Sequence, residues 1–405
     1  MGARAPRRTQ PAPTGLLAEM VDLSRRFGAD PQFVRAGGGN SSAKADGVLY
    51  IKPSGVSLAT LTEESLIALA IEPLLELLEG GGTPGSTPGS DEVLRVAESA
   101  RLSPADNRRP SVELLFHALL PEPIVLHTHP TTINTLTCCT GEDELAEQIV
   151  GDRALWIPYT DPGLPLARAI RDERSTRVRR TGGREARTIL LQNHGLIVGG
   201  DTAAEIDELS HGIAARIAEH TAGRPAFSWG AVERIDPALA DGIVDALRRA
   251  LGLLLSVAGR PAAVVFDDSP LAVDAAGSEL GRRFARGGPL TPDQIVYAGS
   301  WPLVIETVPA DGRAAAAALQ EALAERAARD VDPPVIVLVA GLGLFTVGGT
   351  ERQADTAREL YLDATRIASG AHRLGGVRPL APAERQFIER WEAEAYRRQI
   401  ASSMG

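Results

Sequence analysis

Residues 123–130 read PIVLHTHP, a β-branched apolar run that ends on two histidines one residue apart. Such a run predicts a strand, and on a strand positions i and i+2 face the same side. His127 and His129 can therefore grip one metal ion, with imidazole nitrogens about 2.0–2.1 Å from it. The chain has only seven histidines among 405 residues, so the pair is not a by-product of histidine richness. Catalytic zinc takes three protein ligands and keeps one position open, which calls for a third. His194 is the best candidate: it ends another apolar run, RTILLQNHG (187–195), and sits before a glycine. Against this stands the plainer reading of satisfied core or loop histidines, which a third strand-end histidine weakens.

Working outward from the pair, PSVELLFHALL (110–120) predicts a helix that leads directly into the histidine strand, with Pro110 and Ser111 as start signals. Glu113, in its first turn, would then lie near the metal edge. A carboxylate there can be a ligand at rest and a proton carrier once substrate displaces it; favourable placement at a helix N-terminus is the alternative. His117, four residues on, is read as packing. Upstream, LLAEMVDLSRRFG (16–28) predicts a helix, 35–55 a glycine turn, a short strand and a second turn, and 60–79 a helix. GGGTPGSTPGSDE (80–92) reads as a flexible loop. Downstream, ALWIPY (154–159) reads as a strand, RTILLQNHGLIVGG (187–200) as a strand pair, and 201–223 as a helix. The rhythm is α/β, a central sheet with helices on it.

A second half begins near residue 231, with a helix over 241–258 and strands over 261–266 and 302–308. Within it, 335–357 lies over 187–209 at a constant offset of 148 and no gap, Gly195 falling on Gly343 and His194 on Leu342. Either an internal duplication lost its histidine or both stretches share strand-turn-helix chemistry. With His372 as its one histidine, this half cannot form a three-histidine site alone. The expected division is a disordered tail over 1–14, a catalytic domain over 15–230 and a metal-free α/β lobe over 231–405.

Composition narrows the function. No apolar run approaches the roughly 20 residues of a membrane span, and no signal-peptide pattern follows the arginines of the N-terminus, so the expected location is the cytoplasm. A net charge of −10 argues against nucleic acid as a partner. The two cysteines, Cys138 and Cys139, are adjacent and read as buried thiols. Of 42 basic residues only Lys44 and Lys52 are lysine, so only they could serve a Schiff base. Both flank Gly-rich turns, GGGNSS (37–42) and PSG (53–55), whose backbone N–H groups can make anion nests. Solvated surface lysines are the alternative.

The order of segments, GGGNSS then K, KPSG, PSVE, HTHP and NHG, resembles the class II aldolase/adducin family over about residues 15–225. The resemblance implies a central, mostly antiparallel sheet flanked by helices. It implies His127, His129 and His194 as ligands of a divalent metal, Zn2+ first, and Glu113 as catalytic acid/base. It also implies Asn40, Ser54, Gly55 and Ser111 as phosphate-binding positions. Fuculose-type members put a second hydroxyl residue directly before the glutamate, where this chain has Val112. In the second half, WPLVI (301–305), GLGLF (341–345) and FIERWEAEAYR (387–397) resemble the aldolase part of bifunctional rhamnulose-1-phosphate aldolase/short-chain dehydrogenase chains. The sequence stops where the dehydrogenase would begin, and GLGLFTVGG lacks the G-x-G-x-x-G spacing, so no NAD is expected. The implied function is a zinc-dependent retro-aldol cleavage of a ketose 1-phosphate, such as rhamnulose 1-phosphate, to dihydroxyacetone phosphate and an aldehyde. Epimerase or dehydratase chemistry on the same site, or a non-catalytic adducin-like module, are the alternatives. The implied partners are a phosphorylated sugar and further copies of the chain, a tetramer by fold-level analogy.

Overall fold

The computed structural model describes residues 14–80, 90–103, 108–183, 185–224, 232–256 and 259–391. Nearly all of the expected tail, most of the 80–92 loop and the end of FIERWEAEAYR fall outside them. Two compact units result: Met1–Pro130 with Val150–Arg216, and Thr131–Ile149 with Ile217–Gly405.

In chain order the first unit carries α1 (Thr14–Ala29), β1 (Asn40–Ala45), β2 (Val48–Ile51), β3 (Ile67–Ala70), α2 (Ile71–Glu79), α3 (Ser90–Ser99), α4 (Leu114–Leu119) and β4 (Ile124–Thr128). After α5 (Thr131–Thr137) and α6 (Glu142–Ile149), which belong to the second unit, it resumes with β5 (Leu155–Ile157), α7 (Leu164–Thr181), β6 (Thr188–Leu191) and β7 (Gly195–Gly200). Helix α8 (Ala203–Ala222) follows. The seven strands form one sheet in the order β3-β2-β1-β4-β7-β6-β5. Every pairing is antiparallel except β5 with β6. Strand β4 lies at its centre and is buried along its whole length, which is why its sequence reads as a continuous apolar run rather than an alternation.

Two expectations need correction. Residues 67–70, expected to be helical, form β3, with Leu69 opposite Leu49 and Ile67 opposite Ile51, all four essentially fully buried. Burying such side chains contributes on the order of 1.5–3 kcal/mol each, well above the few tenths per residue that helix propensity offers. Helix α4 begins at Leu114 rather than Pro110, because Ser111 closes a turn: its carbonyl accepts from the Leu114 N–H at 3.2 Å and its Oγ from the Glu113 N–H at 3.2 Å. Glu113 is thus the residue just before the helix.

The second unit continues through α9 (Pro237–Leu254), β8 (Ala263–Asp267), α10 (Pro270–Gly277), α11 (Glu279–Gly287), α12 (Pro292–Ala298), β9 (Leu303–Ile305), α13 (Gly312–Ala328), β10 (Ile336–Val339), β11 (Gly343–Gly348), α14 (Glu351–Arg373) and α15 (Pro382–Arg390). Its sheet, β8-β11-β10-β9, repeats β4-β7-β6-β5 in order, direction and register. Leu155 pairs with Ile189 as Leu303 pairs with Val337. His127 pairs with Ile197, and at the 148-residue offset Phe345 pairs with Phe266. Phe266 therefore stands where His127 stands, Asp268 where His129 does, and Leu342 in the place of His194. Phe266 packs tilted against Phe345 with ring centroids 4.6 Å apart, an apolar contact where the first sheet has a histidine. Cys138 and Cys139 are buried in this unit, and burial pushes both thiols up to about 12. Among the described residues no helix is long and apolar enough to cross a membrane.

Lys44 lies at the far end of β1 from Asn40. Its Nζ donates to the His117 carbonyl at 2.9 Å, and burial, opposed by Glu122, lowers its amine to about 7. Since the unfolded chain holds that proton up to a pKa of 10.5, it binds more protons than the folded one between about pH 7 and pH 10, and stability rises with pH across that window. Lys44→Met is expected to flatten this rise, read as the difference between variant and wild-type urea midpoints at pH 7 and pH 9.5. Parallel shifts in the two proteins would count against a buried Lys44.

Candidate metal centre

The end of β4 and the β6–β7 hairpin bring the three histidines together. His127 is the penultimate residue of β4, fully buried between Asn40 on β1 and Ile197 on β7. His129 follows the strand, its backbone N–H held by the Phe33 carbonyl at 3.1 Å. His194 sits in the tight β6–β7 turn, where Asn193 takes a left-handed φ of 54°, a conformation asparagine tolerates better than most residues. Gly195 is required for close approach: a Cβ there would lie 2.4 Å from the Thr128 carbonyl oxygen. Gly39 plays the same part on the other side, with φ 75° and an added Cβ only 2.7 Å from the His127 carbonyl.

The ligand-competent atoms of the three histidines lie within 4.8 Å of one another. His127 Nε2 and His129 Nε2 are 3.0 Å apart. Glu113 Oε1 lies 3.3 Å from His194 Nε2 and 3.6 Å from His127 Nε2. Tetrahedral bonds of about 2.1 Å would set ligands roughly 3.4 Å apart, so these spacings suit three imidazoles and one carboxylate around a divalent cation. His127 Nδ1 is 2.9 Å from the Leu196 carbonyl. That contact places the ring proton on Nδ1 and the lone pair on Nε2, the arrangement a metal-binding histidine needs. Phe116 closes the wall, edge-on to His127 at 5.5 Å.

Around Glu113 the turn 111–113 and strand β1 converge. Asn40 Nδ2 donates to Glu113 Oε2 at 2.5 Å, and Ser111 Oγ accepts from the Glu113 N–H. Asn40, Ser111, Glu113 and the three histidines therefore form one cluster. Ser54 and Gly55 occupy a neighbouring turn, tied to the 109–110 backbone by the Ser54 N–H to the Arg109 carbonyl (2.8 Å) and by a Pro53–Pro110 bridge. Gly55 has φ 84°.

Several further side chains support the site, and of these only the packing of His117 is legible in the sequence. Lys52 is 2% exposed, with Nζ on the Val56 carbonyl at 2.7 Å, so it supports the 53–56 turn from beneath. His117 is buried and stacked on Phe116, with Nδ1 2.8 Å from Ser42 Oγ; burial holds its pKa well below the usual histidine range, so it is neutral and packs. Gln192 Oε1 accepts from the Tyr159 N–H at 2.6 Å and ties that loop to the His194 hairpin. The one signal for the others was position: each lies within four residues of a recognised site residue.

A mostly antiparallel sheet carrying three histidines at one edge, followed by a second sheet of matching topology, defines a class II aldolase-type protein. The family model described as Class II Aldolase and Adducin N-terminal domain matches residues 18–209, and that described as Aldolase class II, second domain matches 238–397. The chain belongs to the class II aldolase and adducin family. It is 26% identical over 422 residues to the uncharacterized oxidoreductase YuxG of Bacillus subtilis (strain 168), covering 95% of this chain and 58% of that one. The chain thus spans little more than half the length of that curated relative. Among solved structures it is similar to the N-terminal class II aldolase domain of a conserved Thermoplasma acidophilum protein (26% identity, 54% of this chain and 99% of that one, TM-score 0.44). It is also similar to a structure named L-fuculose 1-phosphate aldolase (18% identity, 54% and 92%, TM-score 0.35).

Proposed function

We propose that the chain is a metal-dependent aldolase that cleaves a ketose 1-phosphate, such as rhamnulose 1-phosphate, to dihydroxyacetone phosphate and an aldehyde. The observation that carries this reading is the convergence of His127, His129 and His194 on Glu113 Oε1. A divalent cation held there, zinc by the chemistry of the donor set, would supply a Lewis acid for the ketose carbonyl. His127, His129 and His194 would hold that cation. The hydroxyl beyond the scissile bond gives its proton to Glu113, the carbon–carbon bond breaks to release the aldehyde with its electron pair left on the ketose fragment, and Glu113 then delivers that proton to the carbon left behind. Ser54 and Gly55, with Asn40 and Ser111, bind the phosphate, whose grip is reduced by Val112 in place of a hydroxyl residue. Lysine takes no covalent part. The working form is a homo-oligomer.

The test is release of dihydroxyacetone phosphate from rhamnulose 1-phosphate by the purified chain. Release is expected to vanish with a chelator and return with added zinc. Chelator-insensitive release would overturn the metal mechanism. Retained zinc without release would turn the assignment to an epimerase or dehydratase.

A further inference from the structure

We propose that Asn40 is a positioning residue for Glu113, so that one side-chain amide links the anion-binding end of the site to its acid/base. The inference rests on the metal reading above. Asn40 opens β1 directly opposite His127, and its Nδ2 meets Glu113 Oε2 at 2.5 Å with both residues 7% exposed. An ionised carboxylate only accepts, so the amide must present its nitrogen to Glu113. With Oε2 held there, Oε1 is the oxygen turned toward His194 and His127, at 3.3 and 3.6 Å.

The terminal torsion of a glutamate is broad and roughly two-fold. Left alone, the carboxylate would exchange its two oxygens at the cluster. The Ser111 hydroxyl fixes the Glu113 backbone, and the Asn40 amide fixes which oxygen faces the histidines. The Asn40 nitrogen also carries a second hydrogen, which Glu113 does not use. Donated to an oxygen of an anionic substrate, it makes anion binding and Glu113 orientation depend on the same amide. A bound anion then stiffens the group that must deliver the proton.

Asn40→Ala and Asn40→Leu, the second close to asparagine in shape but without a donor, separate this role from simple anion binding, with Ser54→Ala as the comparison. Zinc affinity of the full chain is read by competition with a fluorescent chelator, and kcat and KM with the ketose 1-phosphate. Both Asn40 variants are expected to lose tenfold or more in zinc affinity, in the range of about 10–100-fold typical of removing a group that orients a metal ligand, together with a fall in kcat. Ser54→Ala is expected to raise KM and leave zinc affinity unchanged. Asn40 variants that bind zinc as tightly as the wild type and differ only in KM would make Asn40 an anion ligand alone. A wild-type chain that takes up no zinc overturns the metal reading itself, and that result is visible before any variant is made.

Discussion

Alanine at His127 is expected to strip the metal from the protein and reduce activity by three orders of magnitude or more, while the far-UV circular dichroism stays close to native. His127 supplies the Nε2 that lies within reach of both His129 and Glu113, at 3.0 and 3.6 Å, so its loss leaves two imidazoles that no longer enclose a cation. A bound cation acting as Lewis acid is worth several kcal/mol of transition-state stabilisation, and each 1.36 kcal/mol is a factor of ten in rate. The fold cost is smaller. The imidazole loses its contact with the Leu196 carbonyl, and an orphaned buried acceptor costs about 1–3 kcal/mol, whereas the β4 backbone pairings on both sides remain. Zinc content by atomic emission and turnover decide the matter, and activity surviving in the alanine variant would sink the metal mechanism.

Glu113→Gln is expected to separate metal binding from proton delivery. Glutamine keeps the size of the side chain and an oxygen that can accept from Asn40, so the cluster should still take up zinc, though more weakly for want of the carboxylate charge. It cannot carry the proton, and loss of a positioned acid/base lowers kcat by about 10²–10⁴. Zinc near one equivalent with kcat reduced in that range would place Glu113 in the chemistry. Wild-type kcat in the variant would leave Glu113 as a structural ligand and move the proton step elsewhere.

How much of this was legible depended on the range of the interaction involved. The His-x-His pair could be read because strand periodicity suggests one face for both side chains, although β4 ends at Thr128 and the Phe33 carbonyl holds the His129 backbone just beyond it. His194 could be read as a strand-end histidine, but its approach depends on Gly195, whose missing side chain matters only because the Thr128 carbonyl lies against it. Strand β3 was misread because an apolar stretch of its length suits a buried helix as well as a strand, and the choice is made by pairing with β2, residues distant in sequence. Lys52 could be read as an exposed charge until the fold folded its ammonium under the turn it precedes.

The second half divides in the same way. Its alignment at an offset of 148 was visible in the letters, yet only strand register matched Phe266 to His127 and Asp268 to His129, because no local similarity marks those positions. Sequence by itself determined the α/β class, the three candidate histidines and the family, since these rest on residue identity and on periods of two or four residues. Tertiary structure alone decided that Glu113 meets the histidines through one oxygen while Asn40 holds the other. Residues 40, 113, 127 and 194 become neighbours only when strands paired across the sheet bring their side chains to one edge, and no spacing along the chain encodes that distance.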